Sequence, residues 1–322
     1  MQYRTLGASD LRVSVIGLGG NTFGPPRLTL AQSVRCIERA GELGVNFIDT
    51  AITYGQGESE AHIGQALVGR RQDWVLATKF NLAHRAPGES VRERILKHCE
   101  TSLRRLQSDY IDLYQLHYNA PGVAAEEVLE VLADLVRTGK VRWVGQCNLA
   151  SWRHAGLLAQ AQRQGGPAMV SCQNHYNLLR RQVEFETLPF CREKGIAFLP
   201  YFPLAGGFLT DKYEAGQPAP QGTRGAAGSP IVTRSRTARN ETIQAALKSW
   251  AHARGHTLGE LAVAWLLSHP EIPSVIAGVS TPEQVEQNVR AADWVLSDAE
   301  RTQVDAIAAW DGSEELAEMQ VG

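Results

Sequence analysis

Four side chains of types that carry out acid–base chemistry follow one another along the chain. They are Asp49, Tyr54, Lys79 and His117. A phenol is a poor acid at neutral pH, and a neighbouring ammonium group lowers its pKa. We therefore expect Asp49 to keep Lys79 charged, Lys79 to activate Tyr54, and His117 to orient a carbonyl oxygen. Together these four side chains could protonate an oxygen on which negative charge develops.

Each of these side chains lies at or just after the end of an apolar run. Asp49 closes VNFID, Lys79 closes WVLATK, and His117 closes YIDLYQLH, while Tyr54 follows Asp49 in a glycine-flanked turn. A single polar residue there is more often structural than catalytic, but several later runs also end in polar side chains. The coincidence favours a functional site at one end of a sheet.

The apolar runs read as strands covered on both faces, because most are continuously apolar and rich in β-branched residues. Eight are predicted: Val13–Gly19, Val45–Thr50, Trp74–Phe80, Tyr110–His117, Val141–Cys147, Ala168–Gln173, Ile196–Tyr201 and Pro273–Val279. Amphipathic helices fit between them, several starting with capping boxes: Ser90 with Glu93, Thr257 with Glu260, Thr281 with Gln284, and Ser297 with Glu300. Strand–helix alternation on this scale predicts an α/β fold, a single (β/α)8 TIM barrel domain over residues 1–322.

Three segments stand outside this alternation. Residues 3–13 read as an N-terminal β-hairpin that closes the bottom of the barrel. Residues 213–240 are rich in Gly, Pro, Ser and Arg and predict a long loop near the cofactor site, either a ligand-binding lid or a passive linker. The acidic residues 311–322 predict a flexible tail.

Composition narrows the classes of protein. The 322 residues carry a formal net charge of -2, which does not favour a nucleic-acid or membrane-surface partner. The five cysteines form no CxxC pair and predict free thiols rather than disulfides or a zinc site. The N-terminus lacks a signal-peptide pattern, and the longest apolar run, Leu261–Leu267, is too short to span a bilayer. These features predict a cytoplasmic location; the oligomeric state stays open.

The segment VNFIDTAITYGQGESEAHIGQAL, together with the four acid–base residues, resembles a known family. The chain is similar to the aldo-keto reductases over essentially its whole length, nearer the potassium-channel beta-subunit branch than the mammalian aldose reductase branch. The resemblance implies that Tyr54, Lys79, Asp49 and His117 form the catalytic tetrad. It also implies NADPH-dependent reduction of a small aldehyde or ketone, NADH being a poorer cofactor, with no metal and no Rossmann domain.

The resemblance also implies a set of cofactor contacts. Asn148 and Gln173 should hold the nicotinamide carboxamide, and Tyr201 should stack on the ring. The complete set of expected cofactor residues is Gly20, Asn21, Asp49, Cys147, Asn148, Gln173, Tyr201, Phe202, Pro203, Leu204, Gly206, Lys212, Arg224, Gly278, Ser280, Gln284, Gln287 and Asn288.

Several positions depart from the family pattern. Cys147 and Phe202 replace serines, while Gly278 and Gln284 stand where the mammalian-type members have Lys and Arg. NADPH preference would then depend on Lys212, Ser280 and Arg224. The expected substrate pocket consists of Asn21, Phe23, Phe80, Tyr118 and Trp152, which suit an uncharged carbonyl compound.

Two other functions remain open from the sequence. One is a non-catalytic NADP(H)-binding regulator of the channel beta-subunit kind, against which His117 argues because that branch commonly has asparagine there. The other is a Schiff-base aldolase with Lys79 as nucleophile. A nearby Asp49 disfavours the aldolase, because it would raise the pKa of the lysine.

Overall fold

The computed structural model describes residues 1–83 and 85–310, so the expected tail at 311–322 lies outside the described residues. It begins with an antiparallel hairpin of β1 (Tyr3–Thr5) and β2 (Arg12–Ser14). Gly7 in its turn has φ +56°, and a Cβ there would lie 2.4 Å from the carbonyl oxygen of Val170. The turn therefore packs closely against a later strand of the barrel.

Eight parallel strands form the barrel, and they correspond one for one to the eight predicted strands. The first strand is shorter than predicted, because Val13 and Ser14 belong to the hairpin and the barrel strand begins at Ile16. The strands are β3 (Ile16–Gly19), β4 (Phe47–Asp49), β5 (Val75–Asn81), β6 (Ile111–Tyr118), β7 (Val141–Cys147), β8 (Met169–His175), β9 (Ala197–Tyr201) and β10 (Val275–Gly278). The hydrogen-bonded order is β10-β3-β4-β5-β6-β7-β8-β9, and β9 also contacts β10, so the barrel is nearly closed.

The N-terminal hairpin closes the bottom of the barrel, as predicted. Leu6, Leu11 and Val13 are buried in one apolar cluster with residues from inside the barrel, among them Phe47 and Leu113. The opposite end, where the strands finish, is left for loops that carry function.

Helices surround the barrel. They are α1 (Leu30–Glu42), α2 (Glu58–Ala66), α3 (Val91–Leu106), α4 (Ala125–Arg137), α5 (Ser151–Gln164), α6 (Thr187–Lys194), α7 (Pro230–Ser235), α8 (Ala238–His252), α9 (Leu258–Leu267), α10 (Pro282–Ala291) and α11 (Asp298–Ile307). Short 3₁₀ turns lie at Gly20–Thr22, Tyr54–Gly57, Arg71–Asp73, Gln182–Glu184 and Ala205–Gly207. No helix in the described parts of the chain has the length and apolar character needed to cross a bilayer.

The predicted capping boxes are present at the starts of α3, α9 and α11. Of the two bonds in the capping box predicted for α10, one is present and the other is wrong. Thr281 accepts the backbone N–H of Gln284, but the Gln284 side chain accepts the N–H of Ser280 at 2.8 Å instead of that of Thr281. The helix is still capped, and the bond ties its first turn to the end of β10.

The segment 213–240 contains more regular structure than a long loop. It includes α7, and α8 already begins at Ala238. Tyr213 is buried, and its hydroxyl accepts the backbone N–H of Gly225 at 3.1 Å, which holds the middle of the segment against its beginning. The segment is thus folded back on itself.

The helix α2 lies unusually close to the end of α3. A Cβ at Gly64 would lie 2.3 Å from the carbonyl oxygen of Arg105 and 2.8 Å from the carbonyl carbon of Leu106. Backbone atoms cannot move aside as a flexible side chain can. Because α2 follows the turn Tyr54–Gly57, this close approach also fixes the position of that turn.

We expect Gly64→Ala to lower the free energy of unfolding by about 1–3 kcal/mol, because the added methyl group forces α2 away from α3. Gly156→Ala is the matched control. Gly156 lies in α5, has open space around it, and should gain up to about 1 kcal/mol from helix propensity. Urea denaturation of both variants measures the difference. Equal stabilities would show that the approach of the two helices is not a tight one.

Candidate active site

A buried ion pair lies at the upper end of the barrel. The Lys79 ammonium donates hydrogen bonds to Asp49 Oδ2 at 2.5 Å and to the carbonyl oxygen of Thr50 at 2.8 Å. Lys79 is 0 % exposed and Asp49 is 3 % exposed. Burial acts to lower the pKa of Lys79, but the negative charge of Asp49 and the hydrogen bond between them outweigh it and raise that pKa above its ordinary value. The lysine is therefore a permanent cation at neutral pH.

The second oxygen of Asp49 is also fully engaged. Asp49 Oδ1 accepts hydrogen bonds from Gln115 Nε2 at 3.1 Å and from Gln173 Nε2 at 3.0 Å. The oxygen of Gln115 in turn accepts from Ser171 Oγ at 3.4 Å. A buried carboxylate with this many donors is tolerated, because its lost hydration is replaced.

Gln115 was not identified from the sequence as part of this site. It lies on β6 two residues before His117, so both side chains point to the inside of the barrel. The alternation of side-chain directions within YIDLYQLH could have indicated that Gln115 shares a face with His117. Gly145 on the next strand leaves room for the network, since a Cβ there would lie 2.1 Å from Ser171 Oγ and 3.3 Å from Gln115 Cγ.

Tyr54 stands next to this pair. The Lys79 ammonium lies 5.1 Å from the centroid of the Tyr54 ring, and the His117 ring meets the same ring edge-on at 5.8 Å. Burial raises the pKa of Tyr54 to about 12, although Lys79 lowers it. The expectation of a lowered pKa is therefore wrong: Lys79 acts in the expected direction, but burial has the larger effect. Tyr54 is a protonated donor at neutral pH.

His117 is a neutral imidazole. Burial, with a smaller contribution from the positive charge of Lys79, lowers its pKa to about 3. Its Nδ1 is buried and has no hydrogen-bond partner among residues 1–83 and 85–310. Its ring also stacks on Tyr118 at 4.3 Å between ring centroids. Because His117 lines the cavity as a neutral ring, it can bond to a ligand without first losing a proton.

A cavity of about 1020 Å³ opens above these residues. Tyr54, His117 and Asp49 line its floor, whereas Lys79 lies beneath them. All but one of the expected cofactor residues line it: Gly20, Asn21, Asp49, Asn148, Gln173, Tyr201, Phe202, Pro203, Leu204, Gly206, Lys212, Arg224, Gly278, Ser280, Gln284, Gln287 and Asn288. Cys147 is the exception; it is 1 % exposed, and its thiol faces Gln115.

Asn148 connects two walls of the cavity. Its oxygen accepts the Tyr201 hydroxyl at 2.9 Å, and its Nδ2 donates to the backbone carbonyl oxygen of His117 at 3.2 Å. Asn148 has φ +60°, a left-handed conformation that asparagine tolerates better than most residues. These two bonds stabilise the left-handed conformation, together with the backbone bond from Asn148 N to the carbonyl oxygen of Gln173.

Three cations line the cavity without an ion pair among the described residues: Lys212, Arg224 and Arg290. Two further acids lie on the wall, where Asp211 accepts the N–H of Leu258 and Glu260 accepts the N–H of Thr257, so the three cations outnumber them. Burial, and next the positive charge of Arg27, lowers the pKa of Arg224. The wall is therefore suited to an anionic ligand.

Arg290 was missed by the sequence reasoning. It lies in the last turn of α10, three residues after Gln287, so the helical period places both near the same face. That spacing was the available signal.

The expected substrate residues are only partly placed on the cavity wall. Asn21 and Tyr118 line it. Phe23 and Phe80 do not, because both are 0 % exposed and belong to the apolar core, where Phe80 packs on Tyr114. Trp152 is 67 % exposed at the start of α5 and is not part of the wall either. For these three residues the expectation of a pocket position is wrong.

Comparison with known proteins gives a consistent result. The model of the family described as "Aldo/keto reductase family" matches residues 15–309. An "Uncharacterized oxidoreductase YrpG" of Bacillus subtilis is 31% identical over 91% of each chain, and the "Versiconal hemiacetal acetate reductase" of Aspergillus parasiticus is 30% identical over 93% of this chain and 95% of its own. A "Putative voltage-gated potassium channel subunit beta" of Schizosaccharomyces pombe is 32% identical over 91% and 88%.

Replacing Asp49 by Asn should leave Lys79 buried without its counter-charge. We expect this to lower the free energy of unfolding by about 3–5 kcal/mol near neutral pH. In the native protein the raised pKa of Lys79 stabilises the fold fully below its ordinary value of 10.5, and this contribution is lost as pH rises through the folded pKa. In the variant, folding requires that the lysine lose its proton. The difference in free energy of unfolding between the native protein and the variant should therefore shrink as pH rises from about 7 to about 10.

Gln115→Leu is the matched control, because it removes a donor to Asp49 and keeps the ion pair. It should lower the free energy of unfolding by about 1–3 kcal/mol, and this loss should not change over the same pH range. Thermal or urea unfolding at both pH values distinguishes the two variants. A pH-independent deficit in Asp49→Asn would contradict a charged, buried Lys79.

Proposed function

Because the chain belongs to the aldo/keto reductase family, we propose that it reduces an aldehyde or ketone to the alcohol with NADPH. The observation that carries this proposal is a protonated Tyr54 beside the buried Asp49–Lys79 pair, on the floor of a cavity whose wall carries three cations without an ion pair in the described part of the chain. The oxidoreductases among its relatives support the same class of reaction.

The residues on the floor suit protonation of a carbonyl oxygen. A reduced nicotinamide, when bound, supplies the hydride that adds to the carbonyl carbon. As the electron pair of the C=O bond moves to oxygen, Tyr54 transfers its proton to that oxygen, and Lys79 stabilises the phenolate that remains. His117 is neutral and orients the carbonyl by a hydrogen bond from the ring edge that faces the cavity. Tyr54 then regains a proton from water.

The cavity wall fits a dinucleotide with three phosphate groups. Lys212, Arg224 and Arg290 supply positive charge that no residue of the described chain neutralises by an ion pair. Gln173 gives its Nε2 to Asp49, which leaves its oxygen to accept a carboxamide N–H. Tyr201 offers an aromatic surface on the wall. We assign NADPH rather than NADH on this excess of cations.

Two alternatives remain from the sequence. A Schiff-base aldolase needs a neutral, accessible lysine, whereas Lys79 has a raised pKa and is 0 % exposed. A regulatory NADP(H)-binding subunit is favoured by the relatives named as channel beta subunits. Such a protein would bind the nucleotide as tightly but would not turn over any carbonyl compound.

We expect Tyr54→Phe to reduce kcat by at least about 100-fold, because the variant keeps the ring and loses the proton donor. NADPH affinity, measured by fluorescence titration, should stay within about 2-fold of the native value, since the hydroxyl is not assigned to the cofactor. Tyr118→Phe is the matched control, as it removes a second phenol from the same wall. Undiminished turnover in Tyr54→Phe would overturn the assignment of the acid.

Arg224→Ala tests the nature of the cofactor. Loss of a partly desolvated cation should weaken NADPH binding by about 10-fold, because each charge-assisted bond to phosphate contributes roughly 1.5 kcal/mol. NADH binding should weaken less if Arg224 faces the 2′-phosphate. Arg234→Ala, on α7 and not on the cavity wall, should change neither affinity. Equal NADPH affinity in both variants would remove Arg224 from the cofactor site.

A further inference from the structure

Tyr201 is held from behind by a second ring. The imidazole of His175 lies parallel to the Tyr201 ring, with 5.3 Å between centroids and 22° between planes. Tyr201 lines the cavity, whereas His175 does not. Both residues end neighbouring strands, β8 and β9, where they are paired in register. His175 therefore backs the wall on which Tyr201 presents its ring.

His175 is itself fixed by a buried amide. Asn177 is 1 % exposed, and its Nδ2 lies 3.2 Å from His175 Nε2 and 2.9 Å from the carbonyl oxygen of Phe202, while its Oδ1 accepts the N–H of Leu179 at 2.9 Å. Because an amide nitrogen only donates, His175 Nε2 must accept, and the ring is neutral. Burial, with Arg180 as a smaller cause, lowers the pKa of His175 to about 3, which agrees with that state.

Asn177 also holds the strained backbone of Phe202. Phe202 has φ +53°, and it precedes Pro203, where the left-handed conformation is unusual for a bulky residue. Its ring meets both Tyr201 and His175 nearly edge-on, at 5.4 Å and 5.5 Å. The bond from Asn177 to the Phe202 carbonyl oxygen keeps this conformation, so three aromatic rings form one packed unit.

A continuous set of contacts then runs from Asn177 to the catalytic floor. His175 stacks on Tyr201, the Tyr201 hydroxyl donates to Asn148, and Asn148 donates to the carbonyl oxygen of His117. A swing of the Tyr201 side chain about its Cα–Cβ bond would break the bond to Asn148, whereas that bond alone does not fix the ring plane, because the hydroxyl lies on the axis about which the ring turns. The position of Tyr201 thus depends on the ring behind it, and the amide of Asn148 depends on Tyr201.

We propose that His175 is a positioning residue for the nicotinamide end of the site: with Asn177 it fixes the ring plane of Tyr201, against which the nicotinamide of NADPH stacks. The inference rests on the proposed function. His175 touches neither the cofactor nor the substrate, and it acts only through Tyr201. Removing it should therefore weaken recognition of the nicotinamide and leave recognition of the adenosine phosphates unchanged.

The test uses the full chain and two ligands. NADPH carries the nicotinamide, and 2′-phospho-ADP-ribose is the same nucleotide without it. His175→Ala should raise the Kd of NADPH by about 3- to 10-fold, the effect of losing one aromatic pair, with the Kd of 2′-phospho-ADP-ribose unchanged. His175→Phe restores a ring behind Tyr201 without the bond to Asn177, and it should recover most of the NADPH affinity. Calorimetric titration measures the Kd of both ligands for the native chain and for each variant.

A double-mutant cycle with Tyr201→Ala tests whether the effect passes through Tyr201. In that background His175→Ala should add nothing further to the Kd of NADPH. If His175→Ala does not fold, His175→Gln, which keeps a side chain of similar length without a ring, takes its place in the same cycle.

Four results overturn the proposal, and they are distinguishable. Equal weakening of both ligands would mean a general structural role for His175. A full effect of His175→Ala in the Tyr201→Ala background would mean that it acts by another route. Failure of the native protein to bind NADPH would overturn the proposed function and this inference together, whereas NADPH binding that is insensitive to His175→Ala overturns the inference alone.

Discussion

A charged lysine buried inside the barrel is the constraint on which the rest of the site depends. An ammonium group taken out of water is strongly destabilising unless a counter-ion and hydrogen-bond acceptors replace its hydration. Asp49 supplies the charge, and the carbonyl oxygen of Thr50 supplies a second acceptor. The carboxylate in turn needs donors, and two glutamine amides provide them. The ion pair is therefore enclosed by polar partners that replace its hydration.

This arrangement determines what the neighbouring groups can do. Tyr54 and His117 are both neutral, because burial disfavours the phenolate in one case and the imidazolium in the other. Among the described residues, the charged groups at this end of the barrel interior are Asp49 on the floor and Lys79 directly beneath it. A substrate oxygen that becomes negative would therefore meet a proton donor and a nearby cation. The cations on the cavity wall, Lys212, Arg224 and Arg290, would extend the same positive potential to the nucleotide proposed to bind there.

Much of this could be predicted from the sequence, because the strong signals were local. Continuous apolar runs located all eight barrel strands, and a polar residue at the end of a run, such as Asp49, located the mouth. The errors came from properties that depend on three-dimensional packing. Phe80 follows Lys79 directly, but successive residues of a strand face opposite sides, so Phe80 points into the core while Lys79 points inside the barrel.

The pKa of Tyr54 shows the same limit. Its neighbours could be named from the order of strands, but the depth of its burial could not, and burial decides the direction of the shift. Gln115 and His175 escaped attention because amide and imidazole side chains within strands are usually structural. Only the contact of Gln115 with Asp49 and that of His175 with Tyr201 distinguish these two residues from ordinary structural ones.

The most direct test of the account is a fluorescence titration of the native protein with NADPH and NADH, followed by a panel of uncharged aldehydes and ketones in the presence of the better ligand. We expect NADPH to bind more tightly than NADH and to be oxidised in the presence of at least one carbonyl compound, in stoichiometric amount with the alcohol formed. Binding of neither nucleotide would contradict it. Tight binding without turnover of any compound would instead support a regulatory protein.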